Sequence, residues 1–315
     1  MKRNWIVVIV IVMLLTGCDA GKETAVSHNA VTFVDDLGRT VTVDNPQRTA
    51  ALLGSFAQVW ILAGGEVVAT ADDAWDDLCL NLTADTVNLG NTKNLSLEQL
   101  LSSCPDFILA STNTQQNIQW RDTLEGAGIP VAYFDIDDFD DYLRLLDICT
   151  DITGRKDLYE TYGTDVQYQI DAVLEQSKKR LENQDGPSVL CMVASASAVY
   201  AKNSQGNVLG AMLYSLGCQN IADSDAMILE NLSMERILEA DPDYIFFVQR
   251  GDDTKGMEAY IQQFLVEDPV WRCLSAVQNG QVYILEKNLY NLKPNHRWGE
   301  AYEKLEAILT NGEQN

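Results

Sequence analysis

The chain has 315 residues, 46% of them hydrophobic, and sets 22 Lys and Arg against 46 Asp and Glu, a formal charge of −24. So acidic a surface repels phosphate backbones and argues against a nucleic-acid partner; it favours solubility and attracts cations or a basic docking surface. The length is too great for one small domain and comfortable for two of about 130 residues.

The chain opens "MKRNWIVVIVIVMLLTGCDA": two cations, an apolar run from Trp5 to Leu15, then Leu-Thr-Gly-Cys. That run is shorter than the roughly 17–25 residues of a bilayer span. Its basic, apolar and small-residue zones fit an export signal, expected over residues 1–18. The "LTGC" ending is similar to the lipobox of bacterial lipoproteins. This resemblance implies that Cys18 is acylated and becomes the mature N-terminus. The protein is then held on the extracytoplasmic side of the cell membrane by lipid inserted in the bilayer, without spanning it. An uncleaved signal anchor with an incidental Cys is the alternative. Residues 19–30 lack apolar periodicity and read as a flexible tether.

Residues 31–154 read as an N-terminal α/β lobe. "VTFVDDLGRTVTV" (31–43) alternates apolar and polar residues around Asp36-Leu37-Gly38-Arg39, a hairpin with Gly38 at positive φ. "RTAALLG" is a short strand and "SFAQVWILAGG" a helix started by Ser55 and stopped by Gly64-Gly65. "EVVATAD" and "TVNLG" are strands. A helix over 96–104 and a strand over 106–111 follow, then a helix over 115–126 and a strand over 129–136. Such alternation predicts a parallel sheet with helices on both faces. Residues 155–184 form a linker whose core, from about Lys156 to Asn183, carries apolar residues at helical spacing with no Pro and one Gly, Gly163. A 28-residue helix is about 42 Å long, long enough to run from one lobe to another, with Gly163 as a site for a kink. Residues 185–315 repeat the alternation: strand "SVLCMVAS", helix "VLGAMLYSLG", helix 233–240, strand 243–249, helix "MEAYIQQFL", strand 281–287 and a closing helix "RWGEAYEKLEAILT".

Beyond Cys18 the six cysteines form no C-x-x-C, and there are two His in all, so a zinc site is not expected. Cys191, inside "VLCMVA", reads as a small core residue. Export permits disulfides, but spacing assigns no pairs.

One unit occurs twice. "NLSLEQLLSSCPDFILAS" (94–111) and "NLSMERILEADPDYIFFV" (231–248) agree at 8 of 18 positions without a gap. Ser96 and Ser233 stand where a helix N-cap should, Gln99 suits a capping box with Ser96, and Glu98 and Glu235 fall at the second helical position. A carboxylate there gains roughly 0.3–1 kcal/mol from the helix dipole. This duplicated N-L-S-x-E…P-D pattern resembles the substrate-binding proteins of ABC importers for iron chelates, haem and cobalamin. "DDLGRTVTVDNPQRTAALL" is similar to their opening and "WGEAYEKLEAIL" to their closing helix. The resemblance covers essentially the whole mature chain. It implies two Rossmann-like lobes with parallel sheets, joined by one long rigid α-helix, with a ligand cleft between them. It implies an iron chelate, haem or cobalamin as ligand, no intrinsic cofactor, and a monomer that delivers its ligand to ABC permease subunits. Glu98 and Glu235 would then meet arginines of the permease, a bivalent clamp.

Ligands of α/β lobes sit beyond the carboxyl ends of the strands. That edge holds Ser55, Asp73, Trp75 and Asn113 in the first lobe. In the second it holds Ser195 and Ser197, Arg250, Tyr290 and, in "KPNHRW" (293–298), Arg297. Of these, Ser55, Asp73, Trp75, Asn113, Arg250, Tyr290 and Arg297 are the candidate ligand-binding residues. Each has a plainer alternative: Trp75 covers a loop, Tyr290 sits at a rim, Arg297 serves the helix after it, and Arg250 pairs with Asp252 or Asp253. His296 is a conceivable haem ligand, but a lone loop His more often only hydrogen-bonds. An enzymatic module on the same fold is the rival reading. It lacks G-x-G-x-x-G and G-x-x-x-x-G-K-[ST], "LLGSF" is not G-x-S-x-G, and His28 and His296 are its only possible histidine bases. An extracellular ligand-sensing module accounts for an anchor but not for paired glutamates.

Overall fold

The computed structural model describes residues 30–267 and 269–312. Cys18, the rest of the expected signal segment 1–18, and the tether up to residue 29 lie outside these residues. No helix among the described residues is long and apolar enough to cross a membrane.

Strands β1 (Val31–Val34) and β2 (Thr40–Val43) form the expected antiparallel hairpin, with Val31 opposite Val43 and Gly38 at φ +74°. Buried Asp35 fixes it: its carboxylate accepts from the Arg39 guanidinium and from the backbone N–H groups of Leu37, Arg39 and Tyr133.

The first lobe runs β3 (Thr49–Ala51), α1 (Gly54–Leu62), β4 (Val67–Thr70), α2 (Asp73–Asp76), β5 (Val87–Asn88), α3 (Leu97–Ser102), β6 (Phe107–Ser111), α4 (Gln115–Gly126), β7 (Val131–Phe134) and α5 (Phe139–Thr153). The sheet order is β5-β4-β3-β6-β7, all parallel. The order reverses direction between β3 and β6, the switch point at which α/β sheets open a crevice. β6 is buried along its whole length, as a strand covered on both faces must be. α5 shows why these helices form: Phe139, Tyr142, Leu145, Leu146, Cys149 and Ile152 make one buried stripe, the i, i+3, i+4 pattern of an amphipathic helix. Its N-cap is Asp138, which accepts from the Asp141 N–H at 3.0 Å.

The link is helical from α6 (Lys156–Tyr159) through α7 (Asp165–Arg180), interrupted by a π turn at Glu160–Thr164. The irregularity falls at Gly163, where a π turn is a recognised cause of a helix bend. The Tyr142 hydroxyl donates to the Tyr162 carbonyl within this turn at 2.9 Å.

The second lobe runs β8 (Ser188–Ala194), β9 (Val199–Lys202), α8 (Val208–Ser215), β10 (Gln219–Asn220), α9 (Ala226–Asn231), α10 (Met234–Ala240), β11 (Tyr244–Gln249), α11 (Thr254–Glu267), α12 (Ser275–Gln278), β12 (Val282–Leu285), α13 (Lys287–Tyr290) and α14 (Trp298–Gly312). Its order is β10-β8-β11-β12, parallel. One strand departs from the expected all-parallel sheet. β9 folds back antiparallel on β8, with Cys191 opposite Lys202, and shares that edge with β10.

The apolar core is continuous across the molecule. One buried cluster takes in Phe107 and Phe134 of the first sheet, Val166 and Ile170 of α7, Val189 and Phe246 of the second sheet, and Trp298 and Leu305 of α14. Two smaller clusters cover the outer faces of the two sheets. Trp298 is fully buried, 6.1 Å from the Phe139 ring. Removing such a side chain from water is worth about 1.5–3 kcal/mol or more, so the closing helix is bound into both lobes. Arg180 and Glu306 reinforce this: the guanidinium meets both carboxylate oxygens at 3.0 and 3.2 Å, and both side chains are buried.

Candidate functional site

A cavity of about 450 Å³ lies between the lobes, at the carboxyl edges of both sheets. That volume suits a small organic ligand. From the first lobe, Ser55 follows β3, Asp72, Asp73, Asp76 and Asp77 follow β4, and Asn113 follows β6. From the second, Tyr200 and Lys202 come from β9, Arg250 and Asp252 follow β11, and Lys287, Tyr290 and Lys293 follow β12.

The start of α1 sets the first wall. Its N-cap is Leu53, without a side-chain cap, so Ser55 is inside the helix rather than its starter. The Gly54 N–H donates to Asp73 Oδ1 at 2.9 Å. A Cβ on Gly54 would come within 2.5 Å of the Ala74 backbone nitrogen, so only glycine lets α1 and α2 approach closely enough to hold that carboxylate. Asp73 is pushed up to about 6, first by burial and then, against the Gly54 hydrogen bond, by the neighbouring charges of Asp72 and Asp77. Asp72 is also raised, by burial and then by Asp76.

The second wall centres on Tyr200. The Arg250 guanidinium lies 5.7 Å from its ring centroid and donates to its hydroxyl at 2.8 Å, and the Lys202 ammonium lies 5.8 Å from the same ring. A cation over a tyrosine face is held by the ring quadrupole.

Residues 287–295 stitch this wall to the other lobe. Lys287 Nζ reaches Asp77 at 2.7 Å and Asp252 at 2.8 Å, and Asn288 donates to the Asp77 carbonyl. Burial opposes the Lys287 charge, but these hydrogen bonds outweigh it and raise its pKa. Lys293 donates to the Ile136 carbonyl and pairs with Asp137 at 3.8 Å. Asn295 donates to the Ser55 carbonyl and to Gln58.

Five of the seven candidates meet at this cavity: Ser55, Asp73, Asn113, Arg250 and Tyr290. Arg250 is engaged by Tyr200, not by Asp252 or Asp253. Tyr290 forms part of the floor, nearly fully buried, its hydroxyl donating to the Ala301 carbonyl. Trp75 and Arg297 do not line it. Trp75 is half-buried on α2, and Arg297 turns into its own helix to pair with Glu300 at 2.7 Å. Ser195 closes the turn into β9 by bonding to Ala198, and like Ser197 it stays outside the cavity. His296 also stays outside; it packs against Tyr162, and its Nδ1 is buried without a partner. Tyr200 and Lys202 escaped the sequence reading because β9 did, although "SASAVYAK" carries a turn followed by an alternating run. Among the described residues no group of three or more His, Cys, Asp and Glu is placed to hold a metal ion. None of the six described cysteines is in a disulfide, and Cys191 is buried.

The repeated units occupy matching places. Glu98 is exposed in the first turn of α3 and Glu235 in that of α10. The capping differs from expectation. Ser96 accepts from the Gln99 N–H at 3.2 Å, but its own N–H goes to the Leu89 carbonyl, so no reciprocal box forms. Ser233 makes no side-chain cap.

Two α/β lobes, a helical link and a cleft at both switch points define a class: a bilobal protein built to hold a small molecule between its lobes. The chain belongs to the periplasmic binding protein family, whose model matches residues 50–289. It is 23% identical over 292 residues to an Fe(3+)-citrate-binding protein of Bacillus subtilis, covering 88% of this chain and 87% of that one. Two solved structures from Vibrio cholerae share the fold. A periplasmic catecholate-siderophore binding protein matches with a TM-score of 0.69 at 18% identity, over 90% of this chain and 99% of its own. A periplasmic vitamin B12 binding protein matches with a TM-score of 0.68 at 17% identity, over 86% and 99%.

Proposed function

We propose that this protein is the extracytoplasmic receptor of an ABC importer, capturing an iron chelate, haem or corrinoid in the cleft and delivering it to a membrane permease. The observation that carries this is the cavity of about 450 Å³ walled by the carboxyl edges of both lobes. Family membership and the iron-chelate and vitamin B12 binding of its relatives support the choice of ligand class. Cys18 anchors the chain by its acyl group, and Glu98 and Glu235 dock the two lobes on the permease. The core shared between lobes favours small lobe motions over wide hinge closure.

The test is binding by the purified mature domain of haem, cyanocobalamin, ferric citrate and ferric siderophores, read by thermal shift and visible absorbance. A ligand at 100 times its Kd stabilises the folded state by about 2.7 kcal/mol, so a true ligand raises Tm by several degrees. Failure of every compound to shift Tm, or turnover of one of them, would refute the receptor reading.

A further inference from the structure

The charges lining the cavity divide unevenly between its walls, carboxylates prevailing on the first and cations on the second. Lys287 is taken up by Asp77 and Asp252, and Lys293 by Asp137. What is left on the first wall is Asp72, Asp73 and Asp76 together with one cation, Lys93; none of the four has an ion-pair partner among the described residues, and the wall stays net acidic. What is left on the second wall is Arg250 and Lys202 around Tyr200, likewise without a carboxylate partner. The two sets share one cavity yet do not pair across it. Like charges held together are tolerated where something of opposite sign completes them. Among the described residues these carboxylates form no group of three that could hold a metal ion, whereas an ammonium group needs no such coordination geometry.

Resting on the receptor reading, we propose that the ligand is a dipolar chelate. Its cationic group, such as a protonated amine, seats against Asp72, Asp73 and Asp76, and its anionic or π-rich face lies on Arg250, Tyr200 and Lys202. Acidic and basic walls would then impose one orientation on the ligand and discriminate against uniformly anionic chelates.

The test uses two ferric trihydroxamates that differ at one atom group: the complex of desferrioxamine B, with its terminal ammonium, and the same complex with that amine acetylated. Ferric citrate, haem and cyanocobalamin complete the panel. Binding is titrated by tryptophan fluorescence on the wild type, on Asp72→Asn/Asp76→Asn, and on Arg250→Gln. The expected result is at least tenfold weaker binding of the acetylated form by the wild type, no difference between the two forms in the double Asn variant, and equal weakening of both in Arg250→Gln. Equal or tighter binding of the acetylated form, or preference for citrate, haem or cobalamin over the ammonium form, overturns the dipolar ligand but leaves the receptor intact. Binding of nothing in the panel removes the receptor reading, and this proposal with it.

Discussion

Asp73→Asn should make the protein more stable in a pH-dependent way. The folded environment holds the Asp73 carboxyl up at about 6, against 3.8 for an unperturbed Asp, burial first and then Asp72 and Asp77 disfavouring its charge. Lys287 gives Asp73 no ion pair, since it is engaged by Asp77 and Asp252. Because the folded pKa is raised, this group's stabilising contribution is complete below pH 3.8 and is lost as pH rises through 6. The gap is roughly two units at about 1.4 kcal/mol each, so the ionised carboxyl costs the folded state about 3 kcal/mol at pH 8 and about half as much at pH 5. Asparagine keeps an oxygen for the Gly54 N–H, 2.9 Å away in the native chain, and carries no charge. The variant should therefore gain about 3 kcal/mol at pH 8 in urea unfolding, roughly 6 °C in Tm, with the gain halved at pH 5. A variant no more stable than wild type at pH 8, or a gain that ignores pH, would show that Asp73 is not a strained charge.

Two further outcomes test the docking surface and the frame. Glu98→Lys with Glu235→Lys should abolish cellular uptake while leaving Kd for the ligand unchanged, because both carboxylates stand exposed on α3 and α10, away from the cavity; uptake at the wild-type rate would remove them from docking. Glu306→Ala leaves the Arg180 guanidinium buried without its bidentate partner, a change that costs about 3–5 kcal/mol. Urea titration should show a lowered midpoint with unchanged slope, and a loss under about 1 kcal/mol would contradict the burial argument.

What could be read from the sequence was what local chemistry decides. The hairpin at Gly38 and the two copies of the helix–strand unit are set by residues within a few positions of one another, and each appears where expected. The carboxyl-edge rule brought Ser55, Asp73, Asn113, Arg250 and Tyr290 together because each follows a strand that the sequence reading identified. The misses have separate causes. Arg297 had a carboxylate one helical turn ahead, and that near partner took it from the cleft. β9, which pairs with β8 along four residues, went unread, and with it went the Tyr200 platform that engages Arg250. The charge of the cleft was the least legible feature. Lys287 meets Asp77 from 210 positions away in the chain, because the segment after β12 returns to the first lobe. That crossing decides which aspartates remain for a ligand: it neutralises Asp77 and leaves Asp72, Asp73 and Asp76 unpaired. The position of the cleft follows from the order of strands, whereas its selectivity follows from which charges the chain's return path has already used.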